Sequence, residues 1–230
     1  MPNELLLIIS LVVSYSLLIA FFKLFGKHGL YVWLGISTIL ANIEVTILVV
    51  AFGMEQTLGN TLFASTFLAT DILSEVYGKK DSQKGAYIGI MVLLVFMFFS
   101  FFWQIYTPSE NDWAMPSVKG LFANTPRMLL ASLFGFAVSE CIDVTLYHKI
   151  WELSEKKWGN HSKFLWLRNN GSTLISQFIN IFIFNFGAFC FIYDLKTLTS
   201  ITLSCYVIYV FTSLLDTPFV YIARKIKKDE

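Results

Sequence analysis

The strongest constraint on this chain is the recurrence of apolar runs about twenty residues long, the length of helix that crosses a hydrocarbon core about 30 Å thick at a rise of about 1.5 Å per residue. Seven such runs can be drawn, at 5–25, 30–52, 58–77, 85–106, 126–151, 172–193 and 198–223. Composition agrees, with 56% hydrophobic and 14% charged residues, where soluble domains carry about 25% charged residues. The expected fold is all-α, a polytopic membrane helix bundle, with residues 1–230 forming one integral membrane domain. A formal net charge of +1, from 17 basic and 16 acidic residues, excludes the strong field of a nucleic-acid binder, so no nucleic acid is expected as a partner.

Orientation follows from the basic residues, which are retained on the cytoplasmic side. Lys23 and Lys27 follow the first run, and Lys79, Lys80 and Lys84 follow the third. Lys149, Lys156, Lys157, Lys163 and Arg168 surround the loop after the fifth, and Arg224, Lys225, Lys227 and Lys228 lie in the tail. Fourteen of the 17 thus fall on one side, leaving Lys119, Arg127 and Lys196 for the other. Seven spans with the N-terminus outside and the C-terminus cytoplasmic fit this bias. The first run is preceded by Met1-Pro2-Asn3-Glu4, which lacks the positive leader of a secretory signal, and it is read as a span. The third run carries Asp71 and Glu75; read as re-entrant, it would leave six spans and both termini inside. The loops at 107–125 and 152–171 are the longest, and neither is expected to form a soluble domain.

Acids inside these runs are the next constraint. A carboxylate facing lipid at mid-bilayer costs about 2.5–3.5 kcal/mol on insertion scales. Glu44, Asp71, Glu75, Glu140, Asp143 and Asp216 all lie within runs. Six lipid-facing acids would consume most of a typical folding stability of about 5–15 kcal/mol, so most must face the bundle interior, with Glu75 placed near an interface. Asp71 and Glu75 are four apart and Glu140 and Asp143 three apart, so each pair shares a helix face. Asn169, Thr173, Ser176, Gln177 and Asn180 form a continuous polar stripe opposite Ile175, Phe178, Ile179 and Phe182. Thr212, Ser213 and Asp216 repeat the pattern before Thr217-Pro218, where a backbone donor is lost. In the expected orientation Asp71, Glu140, Asp143, Gln177, Asn180 and Asp216 share a depth between the midplane and the cytoplasmic face. One site built by spans three, five, six and seven is therefore expected. Arg168 is its nearest cation, and such an acid excess should hold a cation or keep some carboxyls protonated. Ser10, Ser14, Thr46 and Asn185 read as interhelical glue. Trp33, Trp113, Trp151, Trp158 and Trp166 read as interfacial anchors, and the aromatic stretch 96–103 as lipid-facing or packing rings.

Cys141, Cys190 and Cys205 lie in apolar runs, which does not fit a disulfide scaffold. His28, His148 and His161 are far apart, so neither a metal site nor a cofactor is expected. No HExxH, Gly-x-Ser-x-Gly or P-loop is present, which argues against an intramembrane enzyme and against ATP hydrolysis by this chain.

Two segments, Asp71-Ile-Leu-Ser-Glu75-Val-Tyr77-Gly78 followed by Ala86, and Arg168-Asn-Asn-Gly-Ser172-Thr173-Leu-Ile-Ser176-Gln177, resemble the queuosine-precursor transporter family, also called the vitamin-uptake-transporter family. Further matches are Ala41-Asn42-Ile43, Thr125-Pro126-Arg127, Asp143 with Lys149, and Asp216-Thr217-Pro218-Phe219-Val220-Tyr221. The resemblance implies a multi-pass protein of the bacterial inner (cytoplasmic) membrane. Its substrates would be 7-deazaguanine bases such as 7-cyano-7-deazaguanine, 7-aminomethyl-7-deazaguanine or queuine, taken up for tRNA queuosine salvage. In that reading Asp71, Glu140, Asp143, Gln177, Asn180 and Asp216 bind substrate, and Asn42, Glu75, Arg168, Asn169, Ser172 and Thr173 form the shell or gate. A carboxylate can accept the two donors of a guanine-like edge, and an amide can read the adjacent carbonyl. Three positions depart from the family pattern: Glu140 where Gln is usual, Asn180 where Asp is common, and Ile47 near where a membrane lysine often occurs. The expected activity is proton- or ion-coupled import. The alternative is a substrate-binding subunit energised by a separate ATPase module. A small-molecule substrate and the lipid bilayer are the expected partners, and homo-oligomerisation is left open.

Overall fold

The computed structural model describes residues 2–122, 125–159 and 164–229. Helices carry the architecture, in the order α1 (Asn3–Glu44), α2 (Gly59–Tyr77), α3 (Lys79–Ile105), α4 (Met115–Phe122), α5 (Thr125–Trp158), α6 (Leu165–Phe189) and α7 (Leu195–Asp229), with β1 (Leu48–Ala51) and β2 (Met54–Thr57) between α1 and α2. Five of the helices, α1, α3, α5, α6 and α7, are long and apolar enough over their described residues to cross a membrane.

At 42 residues, α1 would extend about 63 Å if straight, twice the hydrocarbon thickness. It folds back instead. Gly26 sits at φ 57°, ψ −139°, a region open to glycine alone at little cost. At Gly29 the returning limb lies so close to the first that an added Cβ would collide with the Phe21 carbonyl oxygen. Phe21 and Trp33, twelve positions apart, have ring centroids 5.7 Å apart. The two limbs therefore run antiparallel, returning the chain to its start, where the Asn3 side chain donates to the Val50 carbonyl at 2.9 Å.

The expectation that the second run continues to residue 52 is corrected here. Helix α1 ends at Glu44, and β1 pairs antiparallel with β2 from Leu48↔Thr57 to Ala51↔Met54. Phe52 (φ 52°) and Gly53 (φ 72°) form the two-residue type I′ connection that suits the twist of a hairpin. The backbone N–H of Phe52 donates to Glu4 Oε1 at 3.0 Å, tying the turn to the first helical turn. A short β-branched run between turn residues reads equally as strand or helix by hydropathy, and the glycine decides. The same correction moves Glu44 from the middle of a span to a helix end, where it is half-buried.

Helix α2 contacts α1, α3, α5 and α7, and all but Phe63 of residues 59–74 are buried. It can carry Thr61, Ser65, Thr66 and Thr70 in this position because each hydroxyl donates to a carbonyl three or four residues back. A helix surrounded by protein need not be apolar all round, which explains why α2 falls outside the set with membrane-like hydropathy.

The bundle has two distinct ends. One gathers the β-hairpin, the end of α6 and the start of α5, where Arg127 donates to the Gly187 and Cys190 carbonyls at 2.7 and 2.6 Å. The other gathers the Gly26 bend, the α2–α3 turn, the start of α6 and the end of α7. There Lys27 pairs with Asp81 at 3.2 Å, and Lys227 stands 5.5 Å from the Tyr77 ring centre.

Candidate functional site: a carboxylate chamber

Helix α6 organises the interior. Asn169, Thr173, Ser176, Gln177 and Asn180 are all buried, while Ile175, Phe178 and Phe182 on the opposite face are 50%, 44% and 47% exposed. The polarity is that of a soluble helix turned inside out, as expected where the outer solvent is lipid.

Three carboxylates on three helices find a partner on this stripe. Thr173 Oγ1 donates to Asp71 Oδ2 of α2 at 3.1 Å. Ser176 Oγ donates to Asp143 Oδ1 of α5 at 2.9 Å. Asn169 Nδ2 donates to Asp216 Oδ1 of α7 at 2.7 Å. Asp71, Asp143 and Asp216 are almost wholly inaccessible, as is Glu140, one turn before Asp143 on α5. Asp71, Asp143 and Asp216 thus reach α6 from α2, α5 and α7 over residues 169–176 of that helix, and neither they nor Glu140 lie on the outer surface, whereas Asn180, expected beside them, lies further along α6 in the wall of the hairpin-end cavities.

The donors do not saturate the acceptors. Asp71 Oδ1, Asp143 Oδ2, both oxygens of Glu140, Asn169 Oδ1 and Gln177 Oε1 are buried without a hydrogen-bond partner. None of the four carboxylates forms an ion pair among the described residues. Every one of these free atoms is an oxygen, an acceptor wherever its carboxyl is ionised, and in that state the chamber is complementary to a ligand rich in N–H donors. Asn170, buried in the same motif, bridges α6 to α7 by donating to Thr217 Oγ1 at 2.7 Å and accepting from Ser213 Oγ at 3.1 Å. Ser172 is buried beside this layer and donates to the Asn169 carbonyl at 3.3 Å.

Arg168, expected as the nearest cation of the acid cluster, grips Glu75. Its Nε and Nη2 reach the Glu75 carboxylate at 2.9 and 2.6 Å, with the two side chains 0% and 3% exposed. Tyr147 donates to Glu75 Oε2 at 2.8 Å, and Arg224 Nη1 lies 3.5 Å from Oε1. The indole of Trp151 stacks under the guanidinium, 4.1 Å from ring centre to Cζ. Glu75 is therefore a buried ion-pair partner and not an interfacial acid. The cluster joins α2, α5, α6 and α7 at the end of the bundle that bears the basic loops.

At the other end the packing is looser. Two adjoining cavities of about 100 Å³ and 40 Å³ share Asn60, Asn180, Phe184 and Tyr209. Asn42 lines the smaller, donating to the Thr38 carbonyl and accepting from Ser132 Oγ, both at 2.8 Å. Asn42 thus lies at this end, away from the carboxylates.

Several sequence expectations need correction. Ile47 precedes β1, outside the bundle interior and 42% exposed, so its departure from the family pattern moves no charge within the chamber. Trp33 is buried, donating to Ser65 Oγ at 3.0 Å, and Trp151 belongs to the Arg168 cluster, so neither is a surface anchor. Trp113, Trp158 and Trp166 are exposed, as are Phe98, Phe99, Phe101 and Phe102. His161 and Lys163 lie outside the described residues. No group of three His, Cys, Asp or Glu residues suited to a metal occurs among the described residues.

Sequence reasoning missed Tyr147, although Glu140, Asp143 and Tyr147 repeat at three and four residues and so share a face of α5. It also missed Gln56, Asn60 and Tyr209, which no periodicity marks, because the first strand of the hairpin that places Gln56 was read as the end of a span.

Residues 57–223 match the family described as "Putative vitamin uptake transporter". Over 220 residues, covering 95% of this chain and 94% of the relative, the sequence is 36% identical to a protein of Bacillus subtilis (strain 168) named "Probable queuosine precursor transporter". No solved structure gives a significant match. The family match spans α2 to α7 and so includes all four chamber carboxylates and both partners of the Glu75–Arg168 pair. The chain belongs to the vitamin uptake transporter family, and it is a multi-pass membrane transporter and not an enzyme.

Proposed function

We propose that this protein imports 7-deazaguanine bases, precursors of the tRNA nucleoside queuosine, through the carboxylate chamber. The name of the Bacillus relative supports the substrate class. The observation that carries the reading is the convergence of Asp71, Glu140, Asp143 and Asp216 with Gln177 in one interior layer, with unpartnered oxygens on all but Asp216. A guanine-like base presents N–H donors at N1 and N2 beside a carbonyl. Carboxylates suit the former, and the amide of Gln177 or Asn180 suits the latter. An aminomethyl substituent would add a cation that an acid-rich site holds well.

Unpaired ionised carboxyls are costly in the interior, so these groups carry either a proton or a cationic ligand. That requirement supports coupling of transport to protons. The fold-back of α1, together with α2, α3, α5, α6 and α7, supports seven crossings of the bacterial inner membrane. The end bearing the basic loops and Arg168 would face the cytoplasm and the hairpin end the outside.

The test is uptake of labelled 7-cyano-7-deazaguanine into proteoliposomes with and without a proton gradient. Wild type is expected to accumulate the base only with the gradient. Asp71→Asn and Gln177→Ala, at equal membrane levels, are expected to lose uptake. Wild-type rates in both variants would remove them from the site, and uptake that requires an added ATPase would replace the carrier reading with that of a substrate-capturing subunit.

A further inference from the structure

The cavities at the hairpin end have a chemistry distinct from that of the carboxylate chamber. Amides and a phenol dominate their polar wall, from Gln56, Asn60, Asn180, Asn185 and Tyr209, all buried, with Phe184 beside them. Among the described residues no carboxylate lines either space. Two buried N–H₂ groups there, Gln56 Nε2 and Asn60 Nδ2, have no hydrogen-bond partner.

The orientation of Asn60 is set by its neighbours. Its Oδ1 accepts from Thr57 Oγ1 at 3.1 Å and from Tyr209 Oη at 3.3 Å. Two hydroxyls committed to the oxygen leave the nitrogen as the group without a partner. Gln56 comes from β2 and Asn60 from the first turn of α2, so the hairpin brings the two amides together. A buried amide donor with no partner forfeits its hydration without replacement, a cost that a ligand acceptor would offset.

The polar face of α6 continues inward from the cavities. Asn180 lines both of them, and Gln177, whose Oε1 is unpartnered, lies three residues away on the same face of α6. From Gln177 the polar stripe continues to Ser176 and its partner Asp143. Their combined size is of the order of a cavity of about 150 Å³ that accepts one six-membered aromatic ring.

We infer that Gln56, Asn60 and Tyr209 form a first binding station for the transported base, on the hairpin side of the carboxylate chamber. It takes a neutral planar heterocycle by its carbonyl or nitrile acceptors, with Phe184 beside the ring. The inference rests on the proposed import of deazaguanines. Amide donors engage the acceptor edge of the base, and the deeper chamber, rich in acceptors, then engages its N–H edge. The two stations divide the recognition of one molecule between its two kinds of polar atom.

The test uses the full chain with labelled 7-cyano-7-deazaguanine. Gln56→Met and Asn60→Leu, near-isosteric changes that remove the amide, are expected to raise the KM for uptake about tenfold each, the loss of one good hydrogen bond, with kcat within about twofold. Asp71→Asn is expected to lose uptake yet retain weak equilibrium binding of the base, and Asp71→Asn combined with Gln56→Met is expected to lose that residue. Thermal unfolding of each purified variant identifies any that misfold, and Gln56→Asn, which keeps an amide but shortens it, supplies a second variant at the same position. Wild-type KM in both amide variants, or equal binding by Asp71→Asn with and without Gln56→Met, overturns the station while leaving import intact. Absence of uptake by wild type overturns import itself and the station with it.

Discussion

The two ends of the interior are built on opposite plans. At the basic end a charged pair is buried completely: Arg168 forks onto Glu75, Tyr147 and Arg224 add contacts, and Trp151 covers the guanidinium. At the hairpin end neutral amides border open space, and two of their donors have no partner. The basic end is therefore held by ionic and hydrogen-bonded contacts among four helices, while the hairpin end is incompletely packed behind two short strands. Between them lies the carboxylate layer. In the import proposed above, the first arrangement would break as the second closes, and we propose that the Glu75–Arg168 contact is the bond on which opening of the basic end depends.

The largest effect is expected from removing one partner of that contact. Arg168→Met leaves Glu75 in the interior with only the longer Arg224 contact and the Tyr147 hydrogen bond, and should destabilise the protein by about 3 kcal/mol, the low end for breaking a buried pair. Glu75→Gln combined with Arg168→Met should recover most of that loss, because no unpaired charge is then left. Unfolding of the purified single and double variants measures the difference. Additive losses would show that the pair is not acting as a unit.

A smaller effect is expected from Tyr147→Phe, which deletes one donor to Glu75 while Arg168 stays in place. The cost should be about 1.5 kcal/mol, the low end for a hydrogen bond to a charged group, read by the same unfolding measurement. A loss as large as that of Arg168→Met would make the phenol, and not the guanidinium, the main contact.

The smallest effect lies at the hairpin end, where Asp194 precedes α7. Its carboxylate accepts from the Thr197 hydroxyl at 2.6 Å and from the Thr197 and Lys196 backbone N–H groups at 3.2 and 3.1 Å. The Thr197 hydroxyl first, and then the backbone N–H groups, hold the Asp194 carboxyl below its ordinary range. A group depressed in the folded state stabilises above its unfolded value of about 3.9 and loses that contribution as pH falls through the folded value. Asp194→Asn should therefore shift the unfolding temperature slightly at pH 7, by an amount that shrinks as pH falls below about 3.9. A difference that stays constant as pH falls through that range would exclude the charged cap as its cause.

Much of the interior was legible because the bilayer makes misplaced polarity expensive. The acids had to point inward, and the offsets of Asn169, Thr173, Ser176, Gln177 and Asn180 fixed one face of α6. The same reasoning failed where the cue was local and weak. Leu48 to Ala51 are apolar enough to extend a helix on paper, and only the Phe52-Gly53 turn makes them a strand. It also failed where the partner lay far along the chain. The Glu75–Arg168 contact spans 93 positions, so neither residue's neighbours announce it, and Glu75 read as an interfacial acid. Trp151 and Trp33 were assigned to the membrane boundary by position alone, since nothing local marks a tryptophan that stacks on a buried arginine or bonds a serine on another helix.

The central claim is that the four-helix carboxylate layer receives the transported base, and equilibrium binding of labelled 7-cyano-7-deazaguanine to purified Asp71→Asn and Asp143→Asn tests it most directly. Each variant is expected to bind about a hundredfold more weakly than wild type, the loss of a charge-assisted pair of contacts, while unfolding at or above the wild-type temperature. Wild-type affinity in both would contradict the claim.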